Sequence, residues 1–273
     1  MKKGSGTRSG LLWEVERLLN ETENLPQILL MENVPQVISA DNIDDFHSWC
    51  KFLESKGYKC YTQVLNAKDY GVAQNRERCF MVSILGNYNY KFPQPVPLDK
   101  TMKDYLEDEV DERYYINSEK AQKLIKDLRE SGQLDGISKT VRGGQNSMQH
   151  NDISEDKEID VAKVGQVSTD GSQCGSVYSD DGNAPTLTAG THGDANSKVC
   201  TEYRIRKLTP KECWRLMDFS DEDFHKAEKV NSNTQLYKQA GNSIVVNVLV
   251  AILGQLFSGK EDVYKNCKVK AER

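Results

Sequence analysis

Three short strings carry side chains whose types and spacing suit chemistry. MENVP at 31–35 sets Glu32 directly behind the apolar run QILLM at 27–31. In open α/β sheets ligands bind beyond the carboxyl ends of strands, so a carboxylate at this point stands where acid–base groups occur. The same carboxylate also suits a helix cap or a set of backbone amides, and the residues alone leave both readings open. QNRER at 74–78 spaces Arg76 and Arg78 two apart. In extended chain that spacing turns both guanidinium groups to one face, a fork suited to a phosphate or a nucleobase carbonyl. A surface loop paired to local carboxylates such as Glu77 fits equally well. QAGNS at 239–243 precedes an apolar helix pattern. There Gly241 offers an unusual backbone angle and Asn242 or Ser243 a cap, so capping alone accounts for the string.

A fourth string, GSGTRSG at 4–10, looks like a nucleotide-binding glycine loop. Such a loop needs a strand to deliver it, and only three residues precede Gly4. Its spacing is also one residue too long for the dinucleotide fingerprint, which favours a plain loop leading into a helix.

The elements that must position these residues fall into three regions. From Ser9 to Leu85 helix and strand patterns alternate. Ser9 caps a first helix, QILLM reads as a buried strand, and NIDDFHSWCKFLESKG reads as an amphipathic helix stopped by Gly57. YKCYTQVL and CFMVSIL follow as strands, giving an α/β layer with a mixed or parallel sheet. From about Asn87 to Tyr203 prolines 93, 95 and 97 mark a linker, and TMKDYLEDEVDE and EKAQKLIKDLRES read as two short charged helices. A stretch rich in Gly, Ser, Asp and Asn then carries the β-like runs SVYS, PTLTA and KVCTEYRI, as an ordered recognition region would. From Arg206 helices return. TPKE at 209–212 is a capping box, and a very apolar last helix is expected after a break at Gly241.

Composition narrows the function classes. The 273 residues suffice for a substantial core, and a net charge of −5 excludes a broadly basic surface, so any nucleic-acid contact must be local. Seven cysteines without a C-x-x-C pair fit a reducing cytoplasm. Four scattered histidines argue against a zinc site, and no metal is expected. No signal peptide is readable, and the run IVVNVLVAIL at 244–253 is too short to span a bilayer, so no membrane partner is expected.

Taken in order, MENVP, LNAKDYGVAQNRERCFMV, YRIRKLTPKECWRLMDF and YKQAGNSIVVNVL resemble the later sequence blocks of the DNA (cytosine-5)-methyltransferases. GSQCGSVYSDDGNAPTLTAG resembles a target-recognition region of the compact bacterial enzymes. The resemblance covers nearly the whole chain. It implies an α/β fold with part of the Rossmann-like sheet of S-adenosylmethionine-dependent methyltransferases and a small loop-rich target-recognition domain. The divisions expected are 1–90 and 206–273 for the catalytic domain and 91–205 for the recognition domain.

The resemblance also implies roles. Glu32 would hydrogen-bond or protonate ring nitrogen 3 of a flipped cytosine, Arg78 would hold the base carbonyl, and Arg76 would position the backbone or the active-site loop. Asn242 and the backbone near Ile244 would complete the S-adenosylmethionine pocket. Arg8, in a stretch like the end of the mobile catalytic loop, would approach double-stranded DNA, with Gln173 and Thr186 as groove-facing contacts or, equally, loop-stabilising polar groups. The family's glycine-rich cofactor block and its Pro-Cys nucleophile do not occur in this sequence, and none of the seven cysteines follows a proline. The chain is therefore expected to be inactive alone: a subunit completed by an N-terminal methyltransferase polypeptide, a truncated product, or a non-catalytic sequence-specific DNA-binding remnant. QILLM is expected to form an exposed sheet edge that favours association.

Overall fold

The computed structural model describes residues 11–131, 160–168, 175–189, 197–201 and 204–257. The chain divides into two units. The first comprises residues up to Asn66, Glu77–Pro95 and the chain from Val248, and the second comprises Ala67–Arg76 with Val96–Asn247. These limits do not follow the divisions expected at residues 90 and 205. Residues 206–247 cluster with 96–205, and the strand that contains Arg206 pairs with Lys198–Thr201 in that unit's sheet.

The first unit is built on a sheet in the order β1-β4-β2, with β1 at Ile28–Asn33, β2 at Tyr58–Asn66 and β4 at Glu77–Leu85. Both pairings are antiparallel, which corrects the mixed or parallel expectation. β1 and β2 run the same way, linked through helix α2 (Ile43–Ser55), and β4 lies between them in the opposite sense. Apolar runs of this length report burial on both faces but carry no sign of strand direction.

β4 is the central strand, and the six residues from Cys79 to Ile84 are all buried. One face of the sheet packs Met31, Cys60, Cys79 and Met81 with Phe46, Trp49 and Leu53 of α2 and with Leu19 of α1 (Leu11–Glu21). α2 has Asp44 and Asp45 in its first turn, where carboxylates favour the helix dipole, and Gly57 takes φ +90° just beyond its end. β1 is less buried than its apolar sequence suggests. None of its residues is fully buried, and Leu30 is 38% exposed. Among the described residues its other edge has no strand partner.

The second unit holds a sheet in the order β5-β6-β8-β9: Lys163–Gln166, Ser176–Ser179, Lys198–Thr201 and Arg204–Lys207. The β6–β8 pair is parallel and its flanking pairs are antiparallel. Helix α3 (Glu119–Glu130) packs Ala121 and Leu128 against Val177, Cys200 and Ile205. A two-residue parallel pair joins β3 (Gln74–Asn75) to β7 (Ala184–Pro185). TMKDYLEDEVDE forms a 3-10 turn at Met102–Tyr105 in place of the expected helix, and a second turn, Glu112–Tyr114, starts at its last residue.

The capping box is present as expected: Glu212 accepts from the Thr209 amide, Thr209 accepts from the Glu212 amide, and α4 (Pro210–Arg215) follows. Glu212 is fully buried and also takes a two-pronged ion pair from Arg206, at 2.7 and 2.8 Å, and the Glu107 amide at 2.9 Å. α5 (Asp221–Glu228) and α6 (Asn233–Asn242) complete the unit. α6 runs through Gly241, so the break comes later than expected. Ser243 is extended at φ −74°, ψ 160°, and α7 starts afresh at Val246–Phe257. By length and composition Asn233–Phe257 would pass for a membrane span, yet this break leaves helices of 10 and 12 residues, each too short to cross a bilayer.

Three outcomes are expected. Glu212→Gln keeps a capping amide but strands the Arg206 charge in the interior, and should lower unfolding free energy by about 3–5 kcal/mol in denaturant titrations. Adding Arg206→Met should cost less than the sum of the single changes, the mark of direct coupling. The unpaired β1 edge should also make the purified chain self-associate or bind an apolar-surface dye, checked by light scattering and dye fluorescence.

Candidate functional site

Glu32 lies within β1 itself, one residue before its end. The β1–β4 register sets it opposite Phe80, and Arg78 stands two residues along β4 on the same face. The diagonal brings the two charges together: Arg78 Nε is 3.1 Å from Glu32 Oε1, with the side chains 17% and 22% exposed. Arg78 Nη1 also donates to the Glu77 carbonyl at 2.7 Å, which fixes the plane of the guanidinium. A carboxylate and a cationic fork, both partly shielded from water, thus project from one strand pair. Such a pair can offer donors and an acceptor to a planar polar ring.

Arg76 belongs to the second unit and has a different set of partners. It is 4% exposed, and its guanidinium donates to three backbone carbonyls: Leu187 through Nη1, and Gly241 and Ser243 through Nη2, each at 2.9 Å. The bonds and ion pair described for the two arginines of QNRER share no partner. Gln74, which sequence reasoning overlooked, is fully buried. Its amide donates to the Leu216 carbonyl at 2.7 Å and accepts from the Leu187 amide at 3.4 Å. Its position directly after the apolar pair Val72–Ala73 was the available signal, since a polar side chain in such a run must find partners inside.

Thr186 is half-buried and donates its hydroxyl hydrogen to the Asn75 carbonyl at 2.6 Å. That hydrogen is committed to the fold, which gives the side chain a loop-holding contact. Asn242 is exposed at the end of α6, and Ile244 is half-buried in the link to α7. The link thus carries an exposed amide and a half-buried apolar side chain two residues apart. Arg8 and Gln173 lie outside the described residues.

Gly241 has a purpose that capping does not explain. It is helical, with no positive φ, but a Cβ there would lie 2.3 Å from the Ala189 nitrogen and 2.4 Å from the Thr188 carbonyl carbon. The residue is glycine because two backbones touch.

The described cysteines offer no activated nucleophile. Cys50, Cys60, Cys79, Cys200 and Cys213 are free thiols, and burial pushes every one of them up, Cys50 and Cys200 to about 11. A reactive thiol needs the opposite shift. Among the described residues no cluster of three or more His, Cys, Asp or Glu could hold a metal ion.

The model of the C-5 cytosine-specific DNA methylases matches residues 1–258, and the chain belongs to that family. It is 34% identical over 259 residues to a type II methyltransferase of Lactococcus lactis subsp. cremoris, an alignment covering 94% of this chain and 61% of that protein. It is 34% identical over 260 residues to an orphan methyltransferase of Spiroplasma monobiae, covering 94% of this chain and 60% of the relative. The chain thus spans about three-fifths of the length of these relatives. Among solved structures the Dnmt2 methyltransferase of S. pombe is similar in fold, with a TM-score of 0.60 at 19% identity over 92% of this chain and 74% of that one. The Entamoeba histolytica methyltransferase EhMeth gives 0.59 at 18% identity, over 92% and 68%. The α/β methyltransferase fold expected from the sequence is borne out.

The close approach at Gly241 yields a sign test. In an exposed helix interior Gly→Ala stabilises by about 1 kcal/mol. Gly254→Ala in α7, with open space around its Cβ position, should do so. Gly241→Ala should instead destabilise by about 1–3 kcal/mol through overpacking against backbone, as thermal melts of the two variants would report.

Proposed function

We propose that this chain is the base-holding and DNA-recognising portion of a DNA (cytosine-5)-methyltransferase that acts on a flipped cytosine in double-stranded DNA. The observation that carries this reading is the Glu32–Arg78 pair on adjacent strands. Carbon 5 of cytosine is a weak nucleophile until the ring is activated by addition at carbon 6. Glu32 would assist that addition by hydrogen bonding or proton donation at ring nitrogen 3, and Arg78 would hold the adjacent carbonyl and steady the Glu32 carboxyl. Extrusion of the base from the duplex is required for either contact.

S-adenosylmethionine, when bound, supplies the electrophilic methyl group. Of this chain's residues, Asn242 would offer its amide to the cofactor and Ile244 an apolar wall, while Arg76 holds the carbonyls on either side of Asn242 in place. Arg8 would approach the DNA from the catalytic loop. Gln173 would read a base edge, and Thr186 would serve the same surface by fixing its loop.

The thiol that adds to carbon 6 and the glycine-rich cofactor block would come from an N-terminal methyltransferase polypeptide. The absence of any Pro-Cys in this sequence supports that division of labour, as do the raised pKa values of the described thiols. Those same thiols fit equally the second reading, a DNA-binding remnant without chemistry of its own. The free described cysteines fit a reducing, cytoplasmic setting.

Labelled S-adenosylmethionine tests the proposal. The chain alone should transfer no methyl group to DNA, and mixing with a polypeptide bearing the missing blocks should restore transfer. In the restored enzyme Glu32→Gln should lower the single-turnover rate by about 10²–10⁴-fold while DNA affinity changes little. An unchanged rate sinks the role of Glu32, and failure to restore transfer favours the remnant.

A further inference from the structure

The Arg76 contacts join two segments far apart in sequence. One is the loop at 185–189, which begins at the last residue of β7, and the other is the α6–α7 link at 241–245. Three attachments hold the loop to the QNR stretch: the Asn75 carbonyl accepts from Thr186, Gln74 Oε1 accepts from the Leu187 amide, and the Leu187 carbonyl accepts from Arg76 Nη1. The link is held by the other arm of the same guanidinium, through the Gly241 and Ser243 carbonyls. Gly241 then closes the triangle by lying directly on the Thr188–Ala189 backbone.

The physics favours this arrangement at that spot. α6 ends at Asn242, so the Gly241 carbonyl lacks an intrahelical partner and carries the negative end of the helix dipole. A buried cation there is stabilised by the carbonyls it satisfies. The planar fork is essential, because Nη1 and Nη2 point in different directions and serve different segments at once. A lysine ammonium would reach one segment or the other.

We propose that Arg76 is a positioning residue that makes the 185–189 loop and the 241–245 link a single conformational unit. Because the link carries Asn242 and Ile244 and the loop lies in the recognition segment, ordering either segment orders the other. DNA and cofactor therefore bind with positive coupling through Arg76. This second clause rests on the functional reading above, whereas the mechanical joint does not.

Hydrogen exchange on this chain tests the joint without any ligand. Arg76→Lys should raise amide exchange in 185–189 and in 241–245 together, by about tenfold or more, and leave α5 unchanged. Loosening of one segment alone, or of neither, overturns the joint. If Arg76→Lys fails to fold, Thr186→Val decides: it removes only a loop-side bond, yet exchange across 241–245 should still rise, and an unchanged link overturns the proposal.

The coupling is read in the chain complemented as above, from S-adenosylmethionine affinity with and without a cytosine-containing duplex. The duplex should tighten the cofactor in the parent, and that factor should fall toward one in Arg76→Lys. Equal factors in both overturn the coupling. A parent that binds neither ligand overturns the functional reading, and the exchange result then stands by itself.

Discussion

The register of β1 on β4 is the constraint on which the candidate site depends. Glu32 faces Phe80 across the pair, and this places its carboxyl beside Arg78. A slip of one residue would turn Glu32 toward the face occupied by Trp49 and Met81, because side chains alternate strictly along a strand. The apolar content of that face, packed under α2, therefore sets the position of a polar pair on the other. The core under α2 and the candidate site are two faces of one pleat.

The second unit is organised by buried cations. Arg206 meets Glu212 inside the protein, and Arg76 meets only carbonyls in the bonds described. Removing charges from water is costly, so such groups persist where polar acceptors surround them. The two arginines answer this differently. Arg206 is neutralised by a carboxylate that also caps a helix and holds the Glu107 amide. The bonds described for Arg76 run instead to backbone carbonyls of two stretches, at Leu187 and at Gly241 and Ser243. Hydrophobic packing alone would tolerate small shifts among those stretches, whereas directional bonds to a rigid planar group do not.

What could be read from the sequence was what depends on neighbours in the chain. Gly57 ends α2, Thr209 and Glu212 form their box, and the strands at Tyr58–Asn66 and Glu77–Leu85 lie where their patterns put them. The family could be read too, since its blocks occur in order. Strand direction could not, because apolar runs look alike from either end. Nor could the purpose of Gly241, whose neighbours Thr188 and Ala189 are distant in sequence, or the partners of Arg76, which lie 111 to 167 residues away. The spacing of Arg76 and Arg78 suggested a shared face. The partners described for them differ: backbone carbonyls for Arg76, Glu32 and the Glu77 carbonyl for Arg78.

The first unit is assembled from three separated pieces of chain, and the last of them begins at Val248. On a ribosome, β1, β2 and β4 are complete long before α7 emerges, and the whole of Val96–Asn247 is made in the interval. Throughout that time the carbonyl of Ile252, which accepts from the Tyr90 hydroxyl, does not yet exist, and neither does the helix that bears it. Until then the Tyr90 hydroxyl lacks that acceptor and the unit is incomplete, a period in which aggregation competes with folding. Translation speed across the middle of the message, and the chaperones present during it, would thus bear on the yield of a unit whose own residues are encoded on either side.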